Sequence, residues 1–281
     1  MPDRHPSGNP DKWVNRELEF VKLTPFNSPQ AMPEQMSALV KLAREIGRED
    51  RRLAILGEGN VSVKLSDTQF AIKASGACLA TLSEEDVTVC DWTRVLALLD
   101  QKNLSDEAVD QALFEARASA EAKKPSVESV FHAWLLTLNG VQFVGHCHPV
   151  AVNQVLCSPR ARDFAERRLF PDEVVCCGPA SVFVPYTDPG LPLAREVSER
   201  TRVFYQQNGF VPRVILLQNH GLIALGGSPN AVLAAILMAD KAAAIFMGAA
   251  AMGGPNFLKP EYVERIAGRP DEAYRQKQLK I

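Results

Sequence analysis

The sequence has no Cys-x-x-Cys pair, no surplus of charge of either sign, no internal repeat and no low-complexity segment. Each absence excludes something. Six cysteines at 78, 90, 147, 157, 176 and 177 in a 281-residue chain do not form the dense framework of a small secreted domain. Vicinal Cys176 and Cys177 are poorly placed to bridge each other, so buried reduced thiols are expected. Lys and Arg number 31 against 33 Asp and Glu, and a net charge of −2 gives no general attraction to nucleic acid or an anionic membrane. The most apolar stretch, Ala231 to Met252, is alanine-rich and interrupted by Asp240-Lys241, so no membrane span is expected. The opening MPDRHPSGNPDKWVNRE lacks the apolar centre of a secretory leader, and a cytoplasmic location is expected.

What is present is an ordinary globular composition, 46% hydrophobic and 23% charged, on a chain long enough to bury a large core without staples. The Pro-, Asn- and Asp-rich residues 1–33 read as an arm. Residues 34–254 read as the main domain and 255–281 as a C-terminal extension. Pro33 and Glu34 open an amphipathic helix carrying Met36, Leu39, Val40 and Leu42. Asn60 to Leu65 and Phe70 to Lys73 alternate as strands around a Ser66-Asp67 turn. Ser83 with Asp86 reads as a cap, and helices are expected over Trp92–Leu99, Ser105–Lys123 and Pro125–Leu138. Val141–Cys147, Val214–Leu217 and Leu222–Leu225 read as strands. Val150–Leu156, Leu193–Asn208 and Ser228–Met252 read as helices. This mixture predicts an α/β fold with a mixed or antiparallel sheet under helices.

Four of the five histidines lie in the apolar middle of the chain: His132, His146, His148 and His220. His146 and His148 end a strand at positions i and i+2, which share a face and suit a divalent metal. Two polar residues at the mouth of a buried strand is the plainer alternative. His220, before Gly221 and after an apolar strand, is either a third imidazole or a turn histidine. Three neutral imidazoles and an open position make a catalytic rather than a closed structural site. Glu128, placed one turn into its helix, is either an acid/base over the same cleft or a first-turn acid complementing the helix dipole. His132, four residues on, either meets Glu128 or packs. Gly57-Glu58-Gly59-Asn60 fails the dinucleotide pattern, because a serine replaces the third glycine and a strand follows. An anion-cradling turn is left, with Ser75-Gly76 as a second contributor. Lys64 and Lys73 read as solvated strand lysines.

In this order, Gly59-Asn60-Val61-Ser62, Ala74-Ser75-Gly76, Pro125-Ser126-Val127-Glu128, His146-Cys147-His148-Pro149 and Asn219-His220-Gly221 resemble the class II aldolase/adducin family over residues 35–250. The stretch from Ile72 to Leu82 is most similar to the aldolase part of bifunctional rhamnulose-1-phosphate aldolase/dehydrogenases, and the sequence holds no dehydrogenase half. The resemblance implies a three-layer αβα sandwich around a mostly antiparallel sheet, assembled as a homotetramer with sites between subunits. It implies Zn2+, or another divalent metal such as Mn2+ or Co2+, on His146, His148 and His220. It implies Glu128 as acid/base, Tyr186 as a proton donor lent to a neighbouring subunit, and Gly59, Asn60, Ser75, Gly76 and Ser126 as substrate- and phosphate-binding residues. The implied activity is lyase cleavage of a small ketose phosphate through an ene-diolate. Epimerisation, dehydration or decarboxylation of a sugar phosphate or sugar acid are alternatives, as is a non-catalytic adducin-like module. Two positions depart from the pattern. Glu58 stands where relatives carry a small residue, and Val127 replaces a common second serine, so a non-phosphorylated or carboxylate-bearing substrate stays open.

Overall fold

A computed structural model of the chain describes residues 31–279 and residue 281. The expected arm over 1–33 therefore lies outside the described residues, apart from 31–33, which are already helical. The first half of the domain runs α1 (Ala31–Ile46), β1 (Asn60–Lys64), β2 (Gln69–Lys73), β3 (Val87–Asp91), α2 (Trp92–Leu96), α3 (Asp106–Glu115), α4 (Ser129–Leu135) and β4 (Phe143–Cys147). The second half runs α5 (Val150–Leu156), α6 (Ala161–Glu166), α7 (Pro171–Cys177), β5 (Val182–Val184), α8 (Leu191–Asn208), β6 (Val214–Leu217), β7 (Gly221–Gly226) and α9 (Pro229–Ala251). The tail forms α10 (Pro260–Ala267) and α11 (Pro270–Leu279).

The strands make one sheet in the order β3-β2-β1-β4-β7-β6-β5. Every neighbouring pair is antiparallel except β5 with β6. Strand alternation sends Val61, Val63, Leu216 and Leu222 to one face, where α1, α5 and α9 cover them. Phe70, Ile72, Val144 and Ile223 face the other way, under α2, α4 and α8. The result is the three-layer αβα sandwich expected. Helix α9 is long and apolar enough to cross a membrane by length and composition alone. Here Val232, Ile236, Ala239, Ala243 and Phe246, spaced three and four apart, are buried in the core beside the sheet.

Several local expectations are corrected. The helix expected to reach Lys123 stops at Glu115, because the chain beyond it pairs with edge strand β3: Cys90 bridges Arg117, and the Ala118 amide donates to Val89. Pro125 does not open α4. It bridges Ala74 in sheet fashion, so the helix begins four residues later and Glu128 sits at its N-cap. Lys64 and Lys73 are not solvated but 2% exposed: Lys64 lies over the Trp92 ring and pairs with Asp67 at 3.3 Å, and Lys73, on the opposite face of the sheet, is enclosed by the loops at Gly57 and Ala77. Of the thiols, Cys90, Cys147 and Cys177 are buried, whereas Cys157 is exposed; all six are free. Strands β3 and β5 and helices α6, α7, α10 and α11 were not expected. The tail is docked: Ile266 packs with Val174 and Val175, and Arg275 pairs with Asp172 at 2.9 Å.

Candidate metal centre

Register builds the site. β1 and β4 pair Asn60 with His146 at the sheet's end, and β7 lies on the other side of β4. His146 is fully buried on the α4-facing side, next to the chain reversal that carries His220. The three imidazoles face one another with ring centroids 4.8, 4.9 and 5.0 Å apart. The His146 and His148 Nε2 atoms lie 3.1 Å apart. His146 Nδ1 donates to the Leu222 carbonyl at 2.9 Å, which leaves its Nε2 as a lone pair aimed into the cluster. Burial, the largest cause, pushes His146, His148 and His220 down to about 4, so all three are neutral at ordinary pH.

The turn that delivers His220 is not made as its following glycine implied. Asn219 takes the left-handed conformation, with φ of 55°. Gly221 is required for closeness instead: a Cβ there would fall 2.5 Å from the Cys147 carbonyl oxygen and 2.6 Å from His148 Cδ2. Gly221→Ala is therefore expected to cost about 1–3 kcal/mol and to weaken metal binding by displacing His148. Thermal melting with and without added zinc checks this, and an unchanged melting curve would refute it.

Whether a divalent cation fits can be judged from the donors. Ligand atoms of His146, His148 and His220 lie within 4.8 Å of one another. Zinc–nitrogen bonds of about 2.0–2.1 Å place tetrahedral nitrogens about 3.3 Å apart, close to the His146–His148 spacing. A cation between the His146 and His148 Nε2 atoms would take a lone pair from each. The donor set fits a borderline divalent metal, with room for an exchangeable position. Cys147, between two of the ligands, is buried on the opposite face, and burial pushes its thiol up, out of ligand chemistry.

Glu128 reaches the cluster. Its carboxylate is 3.5 Å from His146 Nε2 and 3.6 Å from His220 Nε2. It accepts from Asn60 Nδ2 at 2.6 Å, while the same nitrogen donates to Ser126 Oγ at 3.2 Å. The anion-binding helix start expected here is spent internally, since the Glu128 amide donates to Ser126 Oγ and the Ser129 amide to the Ser126 carbonyl. The Asn60 carbonyl is bonded to His132 Nε2, and His132 Nδ1 to Ser62 Oγ at 2.7 Å. His132 thus meets Glu128 through Asn60.

Three loops converge beside these groups. Gly59 has φ of 68°, and a Cβ there would fall 2.5 Å from the His146 carbonyl oxygen. Gly57 approaches Gly76, and the Ser75 amide donates to the Lys124 carbonyl. Lys73 fastens two of the loops, donating to the Gly57 carbonyl at 3.1 Å and the Ala77 carbonyl at 2.7 Å. Burial lowers its pKa, and among the described residues it makes no ion pair. Glu58 does not turn toward Lys64 or Lys73. One oxygen accepts from the Ile55 amide at 3.0 Å and the other lies 3.8 Å from His148 Nδ1. A cleft of about 990 Å³ opens past Glu58 and His148 toward Arg52, Cys78 and Asn153. Tyr186 is 58% exposed, and its hydroxyl bonds Asp188 at 3.1 Å.

Sequence reasoning missed the Lys73 fastening and the Asn60–His132–Ser62 chain. The available signal was the polar set Asn60, Ser62 and Lys64 on one side of a strand whose other side is wholly apolar.

A curated Bacillus subtilis (strain 168) protein, named the uncharacterized oxidoreductase YuxG, is 26% identical over 203 residues, covering 69% of this chain; the chain spans only 27% of that relative's length. The 3-oxo-tetronate 4-phosphate decarboxylase of Haemophilus influenzae (strain ATCC 51907 / DSM 11121 / KW20 / Rd) is 27% identical over 195 residues, 68% of this chain and 77% of its own. Among solved structures, the N-terminal class II aldolase domain of a conserved Thermoplasma acidophilum protein superposes with a TM-score of 0.61 at 26% identity, covering 80% of this chain and 97% of that one. An L-fuculose 1-phosphate aldolase gives 0.63 at 19% identity, covering 89% and 98%, and shares the fold. The family described as Class II Aldolase and Adducin N-terminal domain matches residues 37–247, which span all three histidines, Glu128 and the loops around them. With this match covering well over half of its length, the chain belongs to the class II aldolase/adducin family.

Proposed function

We propose that the protein is a metal-dependent carbon–carbon lyase that cleaves a small ketose phosphate by retro-aldol chemistry. The observation that carries this reading is a carboxylate 3.5 and 3.6 Å from two of three converging neutral imidazoles. His146, His148 and His220 would hold the cation, proposed to be Zn2+, with Mn2+ or Co2+ as substitutes. Such a cation supplies Lewis-acid stabilisation of negative charge developing on adjacent substrate oxygens. Glu128, an acceptor with both oxygens facing the cluster, moves the proton at the carbon that gains the electron pair. Ser126 Oγ accepts two hydrogen bonds from its own chain, so its proton is left for a substrate oxygen. Tyr186, in the site of a neighbouring copy within a homotetramer, takes the proton of the hydroxyl that becomes the aldehyde in cleavage and returns it as donor in the reverse addition; its exposed ring leaves it available for that.

The anionic end of the substrate belongs near Ser75 and Gly76, beside Lys73. A buried ammonium without a carboxylate partner favours an anion there, and compensates for Val127 standing where a serine would help. Lys73→Met is expected to raise KM for a phosphorylated substrate about 10–100-fold, the worth of one charge-assisted hydrogen bond. A KM unchanged from wild type would remove Lys73 from anion binding.

Decarboxylation is the second reading, favoured by the Haemophilus influenzae relative. Loss of CO2 from a 3-oxo acid leaves the electron pair beside the carbonyl, as loss of an aldehyde does. The two reactions therefore need the same charge stabilisation and differ in the leaving group. Incubating the zinc-loaded protein with ketose phosphates and 3-oxo sugar-acid phosphates, then repeating with chelator, separates them by product. No turnover with any of these, together with non-restorable metal, would favour a non-catalytic module.

A further inference from the structure

The polar face of β1 meets α4 in a pattern that fixes the direction of every hydrogen bond. Ser62 and Asn60 are two residues apart on β1 and share that face. Glu128 and His132 are four apart, at the N-cap and in the body of α4. Ser62 and His132 are both 0% exposed, so water does not exchange for either partner. The contacts run Ser62 Oγ to His132 Nδ1, His132 Nε2 to Asn60 Oδ1, and Asn60 Nδ2 to Glu128 Oε2.

Polarity follows from the carboxylate end. Asn60 Nδ2 lies 2.6 Å from Glu128 Oε2 and 3.2 Å from Ser126 Oγ, so the amide nitrogen faces both acceptors and the amide oxygen faces away from them. The Asn60 carbonyl then faces His132, whose Nε2 must carry the proton. Burial holds His132 well below the ordinary imidazole range, so the ring is neutral and its Nδ1 is a lone pair. Ser62 Oγ–H donates to that lone pair. The result is a one-way series of donors, Ser62 to His132 to Asn60 to Glu128, in which each bond polarises the next.

We propose that His132 is a positioning residue: as its Nε2–H tautomer it locks the Asn60 amide with nitrogen toward Glu128, and so holds that carboxylate against the His146/His148/His220 cluster. This rests on the lyase reading for its kinetic consequence and on geometry alone for its structural one. Neither Ser62 nor His132 touches the cleft; both act through Asn60. The same arrangement constrains Asn60, whose two side-chain N–H groups are both engaged inside the protein before any ligand arrives.

The test uses two replacements of different reach. Glutamine places an N–H near the position of Nε2, whereas asparagine reaches only as far as Nδ1. In zinc-loaded His132→Asn, metal content stays at wild-type stoichiometry and kcat falls about 10²-fold, the typical cost of a misplaced catalytic group, with KM little changed. His132→Gln recovers most of that loss. A crystal structure of zinc-loaded His132→Asn shows the Glu128 carboxylate displaced from His146 and His220. If Glu128 keeps its place in the asparagine variant, or if glutamine rescues no better than asparagine, the proposal is overturned. Should the asparagine variant fail to fold, Asn60→Asp supplies the same test, because an acceptor facing Glu128 must displace it; an undisplaced Glu128 there overturns the proposal. If wild-type protein turns over no ketose phosphate, L-rhamnulose 1-phosphate included, the lyase reading fails, while the position of Glu128 in the crystals still decides the role of His132.

Discussion

Glu128→Gln should bind its metal normally and lose about 10²–10⁴-fold in kcat, the usual contribution of one positioned acid–base group. The substitution is nearly isosteric, and its amide oxygen still accepts from Asn60 Nδ2, now 2.6 Å from Glu128 Oε2. Two of the three histidines have partners other than Glu128: His146 is held by the Leu222 carbonyl and His148 faces Glu58. What disappears is the capacity to take up a proton 3.5 to 3.6 Å from two imidazole nitrogens. Metal analysis with steady-state kinetics on a cleaved ketose phosphate checks both halves. Near-wild-type turnover would remove Glu128 from the chemistry, and loss of metal would make it chiefly a ligand.

The second large effect concerns the cluster itself. His220→Ala leaves two imidazoles, too few for a stable site, so the purified variant should carry little metal and no measurable lyase activity. Glu58→Gln is the graded counterpart. Its carboxylate lies 3.8 Å from His148 Nδ1, where it can fix the tautomer that presents Nε2 to the cation. Loss of such an outer partner typically costs about 10–100-fold in metal affinity. Zinc titration against a competing chelator should rank wild type above Glu58→Gln above His220→Ala. If His220→Ala retains stoichiometric zinc, the three-histidine site is wrong. If Glu58→Gln binds as tightly as wild type, the carboxylate serves only to hold the Ile55 turn, through its bond to that amide.

These outcomes depend on features of unequal legibility. Val214–Leu217 and Val150–Leu156 appear in the structure at their expected bounds, because an apolar run between turn residues and a helix opened by proline are local signals. Strands β3 and β5 carried no comparable signal. Both are edge strands, and β5 is three residues long, placed by pairing with β6 rather than by its own pattern. The start of α4 was misread for a related reason: a proline followed by serine and glutamate is a good helix opening, yet Pro125 is held by a bridge to Ala74, fifty-one positions earlier. A distant strand overrode a sound local preference.

The sequence by itself determined the chemical inventory: three histidines, one carboxylate and glycine-flanked loops in an order that only one family reading accommodated. Strand alternation and amphipathic helices also predicted a mixed or antiparallel sheet under helices, and the resemblance added its three layers. Only the tertiary structure decided how those groups face one another. Glu58 turns to His148 instead of to a lysine, Lys73 is buried between loops, and Ser62 and His132 join the site through Asn60. The reason is that hydrogen-bond direction and burial belong to pairs of residues. Here the pairs join segments near 60, 128, 146 and 220, which no local pattern connects and which only sheet register brings into contact.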